Sequence, residues 1–364
     1  MTAPRLEIRP DLVAHNTAQL VHRLRARGIG VTAVTKSMLG APVLAGAFCS
    51  AGVSGLADSR VANVARLRAA GVSGPVTLVR TPMLSQVDEV VDLCDTSCNT
   101  EREVLVALSA AAQRRDRRHG VVLMVELGDL REGIMPDDLA SVARVARDLP
   151  NLVLRGIGAN LACRSGVVPD AANMAELSAL VAVVEHTTGV ELEVVSGGNS
   201  ANLGWALGHG ATGRVNDLRL GEALLLGVDP VERRPVDGLR TDALTLVAEV
   251  IESGPKPSLP WGTLAQTAFG EHPDALDHGE VVQTIVALGR QDTDTADLTA
   301  PPGMTLVASS SDHLVTWTDE RLAPGTEVEF RPGYSAVLRA MTSPTVELVV
   351  LEEPADRPGA VLAR

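Results

Sequence analysis

Between residues 11 and 225, short β-branched apolar runs alternate with alanine-rich stretches whose apolar positions recur at helical spacing. A strand followed by a helix at intervals of roughly 20 to 40 residues is the pattern of a parallel α/β fold, since each parallel connection needs a crossover. The strand candidates are 30–35, 53–57, 75–79, 93–97, 121–126, 152–158, 192–196 and 214–218. Between them, 58–70, 100–117, 137–148, 171–188 and 199–207 carry helical apolar spacing and Ser, Asp or Thr start signals. Eight βα units predict a TIM (β/α)8 barrel, with an extra helix from Pro10 to Arg27 leading into the first strand. A doubly wound sheet is the alternative.

After about residue 235 the helical pattern stops. Apolar β-rich runs at 243–252, 281–288, 304–309, 313–318, 326–330 and 345–351, punctuated by Gly and Pro, predict an antiparallel β domain. The expected division is a barrel over 1–235 and a β-rich C-terminal domain over 236–364, joined near Pro235-Val236-Asp237-Gly238, with 355–364 as a loose tail.

The formal charge of -13 argues against a nucleic-acid partner, and the basic run Arg114-Arg115-Asp116-Arg117-Arg118 reads as the solvated end of a helix. Cys49, Cys94, Cys98 and Cys163 lack the paired spacing of a zinc site and read as reduced thiols. No hydrophobic signal core opens the chain and no apolar run reaches the roughly 18 residues of a membrane span, so a cytoplasmic protein with no membrane partner is expected. Small soluble ligands remain.

In either α/β fold, residues just after a strand face the ligand, which draws attention to the segments beginning Lys36, Asp58, Arg80, Asn99, Gly128, Asn160, Gly197 and Arg219. Of 32 basic residues only Lys36 and Lys256 are lysines, and Lys36 stands where the first barrel strand runs out. A buried lysine can lose its charge and attack a carbonyl, which arginine cannot. A GC-rich coding sequence accounts for part of the lysine scarcity without function. Lys256, in Gly254-Pro255-Lys256-Pro257, reads instead as part of a proline-locked loop. Ser196-Gly197-Gly198-Asn199-Ser200 follows one strand and opens a helix, and Arg219-Leu220-Gly221-Glu222 follows the next, so adjacent strands carry two phosphate-competent turns. Neither is a nucleotide P-loop, and a monophosphate ligand fits better.

With these motifs in hand, the chain resembles the fold-type III pyridoxal-phosphate enzymes of the alanine racemase superfamily, and in detail their ornithine, lysine and arginine racemase branch. The resemblance rests on Val34-Thr35-Lys36, Ala57-Asp58-Ser59-Arg60, Leu127 to Ile134, Gly158 to Cys163, Ser196 to Ser200, Arg219 to Gly221, Gly289-Arg290-Gln291-Asp292 and Ser310-Ser311-Asp312-His313. It implies pyridoxal 5'-phosphate as cofactor, bound covalently by Lys36, which also acts as one of two bases at Cα. It implies Arg219 against the pyridine nitrogen, and Ser200 with the backbone near Gly221 and Glu222 on the phosphate, helped by Asn199 and by Tyr334. Tyr334 is the single tyrosine and reads equally as a core aromatic of the β domain. Arg131 would meet the phenolic oxygen and the substrate carboxylate, or pair with Asp129 or Glu132. A head-to-tail homodimer acting on a small amino acid is implied, with a basic side chain met by carboxylates such as Glu126, Asp129 or Glu222.

The departures from the family pattern are as informative. Arg290 stands where alanine racemases place the tyrosine that serves as second base, Asn160 stands where they use a histidine, and Ser37 to Gly40 lacks their tyrosine. Arginine is a poor base, so Arg290 reads as a carboxylate ligand fixed by Asp292. The proton carrier on the opposite face is assigned to His313, oriented by Asp312 or Asp292, with Cys163 as second choice. Two other readings are a D-amino-acid lyase (aldolase or dehydratase) and a non-catalytic carrier of the cofactor.

Overall fold

The first strand, β1 (Arg5–Ile8), is followed by eight parallel strands that close into a barrel: β2 (Gly30–Val34), β3 (Gly55–Asp58), β4 (Val76–Leu78), β5 (Thr96–Asn99), β6 (His119–Val125), β7 (Leu152–Ala159), β8 (Val194–Ser196) and β9 (Asp217–Leu220). This computed structural model describes residues 2–270, 276–351 and 360–361. Every predicted barrel strand is present, with bounds moved by no more than three residues. Helix α1 (Pro10–Arg25) precedes β2. One helix then follows each barrel strand: α2 (Pro42–Ser50), α3 (Val61–Ala69), α4 (Val87–Leu93), α5 (Arg102–Arg114), α6 (Pro136–Asp148), α7 (Ala171–Thr188), α8 (Leu203–Ala206) and α9 (Glu222–Leu226).

The local chemistry explains these bounds. Asp170 and Asn173 form a reciprocal capping box at the start of α7, and Gly189 ends it at φ 70°. Pro42 and Pro136 open α2 and α6 at positions where no N–H is needed. Strand β6 is buried along its whole length, as expected of a parallel strand covered on both faces, and Val122 and Met124 pack with Cys98 of β5. At the end of α5, Arg114 and Arg115 pair with Asp88 and Asp92 of α4 in exposed bridges, the solvated helix end that the sequence predicts.

Closure of the barrel depends on β9. It pairs with β2 over Gly30 to Ala33, but with β8 through the single pair Ser196 and Asp217. Asp217 compensates with its side chain: one oxygen accepts from Thr32 Oγ1 of β2 at 2.7 Å and the other from Ser196 Oγ of β8 at 2.5 Å. One carboxylate therefore joins three strands at the seam.

The chain divides into two units, residues 11–241 and residues 1–10 with 242–364. This differs from the expected boundary at 235, because β1 pairs antiparallel with β12 (Leu244–Pro257) and so belongs with the C-terminal residues. Within the barrel unit a short hairpin, β10 (Val228–Asp229) and β11 (Arg234–Pro235), follows α9. The second unit continues with β13 (Glu280–Val286), β14 (Leu298–Thr299), β15 (Met304–Ser309), β16 (Leu314–Thr318), β17 (Glu327–Pro332), β18 (Glu347–Val350) and β19 (Ala360–Val361). Its main path runs β15-β16-β13-β12-β1-β18-β19, and β17 pairs with both β12 and β14. The pairing is antiparallel except for β1 with β18, which is parallel. A register shift between Val250 and Glu252 divides β12, whose first half pairs with β1 and β17 and whose second half pairs with β13. Leu6, Ile8, Leu246, Phe330 and Val349 are fully buried in this unit.

Three further expectations change. Lys256 lies in β12 opposite Val281, not in a loop, and pairs with Glu252. The β-rich region contains a helix, α10 (Tyr334–Thr342). The expected tail at 355–364 lies outside the described residues except for Ala360 and Val361, which pair with Val350 and Val349. Among the described residues no helix is long and apolar enough to cross a membrane.

Replacing Asp217 with Ala removes two charge-assisted bonds at the seam, with an expected cost of about 2–4 kcal/mol. Urea unfolding should show a lower midpoint with an unchanged slope. An unchanged midpoint would mean that the backbone ladders alone close the barrel.

Candidate active site

Lys36 opens a short 3-10 turn, Lys36–Met38, directly beyond β2. The Thr35 carbonyl accepts from Met38 and Gly40, and the chain leaves the turn through Leu39 in the left-handed region. Gly40 has φ 66°, and a Cβ there would lie 2.8 Å from the Asn63 carbonyl, so this return requires glycine. Beside the turn, Asp58 is completely buried at the end of β3. It accepts from Thr35 Oγ1 at 2.6 Å, from the Arg60 amide at 2.9 Å and from Asn63 Nδ2 at 3.0 Å. These bonds anchor the residue before Lys36. Nothing in the local sequence around Asp58 marks this anchoring role, because its partners Thr35 and Asn63 come from other elements.

The Lys36 amine makes no hydrogen bond or ion pair among the described residues. Burial pushes it below the ordinary lysine value, the guanidinium groups of Arg131 and Arg219 add to that, and Cys163 and Asp58 oppose it. A lysine so placed has a larger neutral fraction than a surface one and is a better nucleophile and base.

Arg219 lies within β9, not after it, and is buried. It donates through Nη1 to Ser196 Oγ at 2.5 Å and through Nη2 to the Ala159 carbonyl at 2.7 Å. Ser196 in turn donates its hydroxyl hydrogen bond to Asp217, so a hydroxyl connects the guanidinium to the seam carboxylate. The next turn holds Ser200, whose Oγ accepts from the amides of Gly221 at 3.4 Å and Ala223 at 3.2 Å. Ser200 thus sits beside the backbone at Gly221 and Glu222 that is expected with it on the phosphate. The Glu222 carboxylate is met by Arg233 at 2.8 Å.

Asn199 caps this turn through Ala201, and its Nδ2 donates to Asn160 Oδ1 at 3.1 Å and to the Leu161 carbonyl at 2.8 Å, with Cys163 Sγ at 3.5 Å. Asn160 Nδ2 is buried without a partner. A buried donor left unpaired is costly, which marks it as a place for an acceptor from outside the protein.

Two loops are latched by carboxylates turned inward. Glu126 Oε1 accepts from the amides of Gly128 and Leu130. Asp129 accepts from the amides of Cys163, Arg164 and Ser165 at 3.0 to 3.3 Å. Leu130 and Ala162 take the left-handed conformation on either side of this latch. The amides of Arg164, Ser165 and Cys163 outweigh the burial of Asp129 and hold it below the usual carboxylate range. Glu126 thus holds its own loop and Asp129 the neighbouring one. Arg131 is held at Nε and Nη2 by Glu132, one of the two partners expected for it, in a pair that is 37% and 30% exposed. Cys163 is exposed and electrostatically coupled to both Arg131 and Lys36.

The second unit gathers its own cluster. The turn Ser310–His313 joins β15 to β16, and the amides of Arg290 and Gln291 bond to the carbonyls of Ser310 and Ser311. His313 Nδ1 lies 2.9 Å from Asp312, as expected, and the ring is exposed. Arg290 donates to Ser309 Oγ at 3.1 Å and stacks 4.0 Å from the Phe269 ring centroid. Asp292 does not orient His313 or fix Arg290: its carboxylate accepts from the Gly289 amide and from Thr345 Oγ1. Tyr334 begins α10 and is half-buried, not a strand residue of the core.

Comparison with known proteins accounts for this arrangement. Residues 8–230 match the family model for the alanine racemase N-terminal domain. A lysine racemase of Thermotoga maritima is 35% identical over 353 residues, covering 96% of this chain and 99% of that protein. An ornithine racemase of Acetoanaerobium sticklandii is 32% identical over 354 residues, again 96% and 99%. Among solved structures, a D-threonine aldolase from Filomicrobium marinum aligns with a TM-score of 0.76 over 99% of this chain and 94% of its own, at 14% identity, which shows the fold alone.

The lowered pKa of Lys36 has a thermodynamic sign. Below its folded value the amine is charged in both states and disfavoured in the folded one; that cost is relieved as pH rises from the folded value to the ordinary 10.5. Lys36→Met should therefore raise the thermal midpoint of the cofactor-free protein at neutral pH, by about 2–4 °C per kcal/mol removed. The gain should shrink toward alkaline pH. A lower midpoint at neutral pH would show that the amine is not held at a cost.

Proposed function

The chain belongs to the alanine racemase family, and on that footing we propose that it is a pyridoxal-phosphate-dependent racemase interconverting the L and D forms of a basic amino acid. The observation that carries the reading is the near full-length likeness to a lysine and an ornithine racemase. The barrel residues fit the cofactor: the amides around Ser200 form an anion cradle, Asn160 offers an unpaired donor, and Lys36 has a lowered pKa. When bound, the cofactor supplies an aldehyde that captures amines and an electron-poor ring that acidifies Cα.

We assign Lys36 to hold that aldehyde and to move a proton at one face of Cα. Arg219 would face the pyridine nitrogen; a guanidinium keeps its proton, so that nitrogen stays unprotonated and reactions other than racemisation are disfavoured. The buried link to Ser196 and Asp217 supports this by fixing where the guanidinium lies. Ser200 and the backbone at Gly221 and Glu222, with Tyr334, would hold the phosphate, and Asn160 and Asn199 would line the ring. Arg131 and Arg290 would bind carboxylates. His313, oriented by Asp312, is our assignment for the proton carrier on the other face, with Cys163 the alternative. The working form is a cytoplasmic head-to-tail homodimer acting on a small-molecule substrate.

In deuterated solvent, holoenzyme should exchange the Cα hydrogen of ornithine, lysine or arginine, and Lys36→Ala should abolish both exchange and the absorbance of the lysine-bound cofactor. His313→Ala should lower exchange from one enantiomer by about 10²–10⁴-fold. Absence of exchange with every amino acid, with cofactor bound, would leave the protein a carrier; cleavage or dehydration of D-threonine or D-serine would make it a lyase.

A further inference from the structure

The racemase reading leaves open what selects a cationic side chain. Two carboxylates act on Arg131: Glu132 by direct bonds and Asp129 through its charge alone. Asp129 is tied to three backbone amides of the neighbouring loop and cannot leave without opening the latch. Glu132 is different. Both of its oxygens are given to Arg131, and it has no other partner among the described residues. The pair is partly exposed, and Arg131 is close enough to Lys36 to lower the amine's pKa.

A guanidinium fork gripping a carboxylate is the arrangement that an amino acid's own carboxylate would form with Arg131. Glu132 therefore occupies the fork in the manner of a substrate. When a substrate carboxylate takes the fork, Glu132 loses its only partner in a partly desolvated place. With a neutral amino acid, two carboxylates then compete for one guanidinium. An acidic substrate adds a third. Only a substrate with a second cation restores the balance, by giving the displaced Glu132 a new partner.

Resting on the racemase reading, we infer that Glu132 is the specificity-determining residue, exchanging its bond to Arg131 for one to the distal ammonium of the substrate. The device needs no acidic pocket prepared in advance. It couples binding at the two ends of the substrate, because the distal contact becomes available only when the substrate carboxylate engages Arg131.

The test compares ornithine with norleucine, which puts a methyl group where ornithine has its ammonium. In the holoenzyme, Glu132→Gln should lower the ratio of kcat/KM for ornithine over norleucine by about 10- to 100-fold, the loss expected for one charge-assisted bond. Glu132→Asp, which keeps the charge, should recover part of it. Calorimetric binding of the two ligands to wild type and both variants provides a readout independent of turnover. An unchanged ratio in Glu132→Gln, or an equal loss for both amino acids, overturns the inference. If wild type exchanges no Cα hydrogen yet binds ornithine over norleucine through Glu132, the racemase reading fails and this selection stands.

Discussion

The pairing of β2 with β9 is the constraint on which the barrel site depends. Lys36 is placed by the end of β2 and Arg219 lies within β9, so the two cations become neighbours only when the seam closes. Asp217 holds that seam from the side, bonding to β2 through Thr32 and to β8 through Ser196. The same Ser196 receives Arg219. One carboxylate therefore both completes the fold and compensates, through a hydroxyl, the charge at the centre of the site. Structure and electrostatics are coupled here because β8 and β9 share so little ladder.

Around this seam the acidic groups are mostly engaged with the chain itself. Asp58 steadies the turn before Lys36, Glu126 closes its own loop, and Asp129 fastens the neighbouring one. Each of these carboxylates is satisfied by hydrogen bonds from the chain itself. The strain of Leu130 and Ala162 in the left-handed region is what these latches hold in place.

How much of this was legible in the sequence follows from the range of each interaction. Barrel strands and helices announce themselves through local apolar periodicity, and Lys36 stands out because almost every other cation is arginine. Strand β1 is only four residues long, and its partners lie near residues 245 and 348, so no local pattern marks it. Pro255 and Pro257 read as loop formers, yet they fall at alternate positions of β12, where their missing N–H groups share one edge. The partners of Glu126, Asp129 and Asp292 are not legible in the sequence for a further reason. Which donor meets a carboxylate depends on loop backbone geometry, and left-handed residues such as Leu130 and Ala162 carry no glycine signal. The link from Arg219 through Ser196 to Asp217 joins two strands across the barrel wall, and spacing in the sequence does not encode it.

The position of β1 has a consequence for synthesis on the ribosome. Residues 5–8 are made before the barrel, but the strands that flank them, at 244–247 and 347–350, are made only after all of it. The barrel unit is contiguous from 11 to 241 and can assemble as it leaves the exit tunnel. Meanwhile a strand that carries Leu6 and Ile8 has both edges unpaired, which makes the interval before β12 and β18 are made the period of greatest exposure to mispairing with other chains.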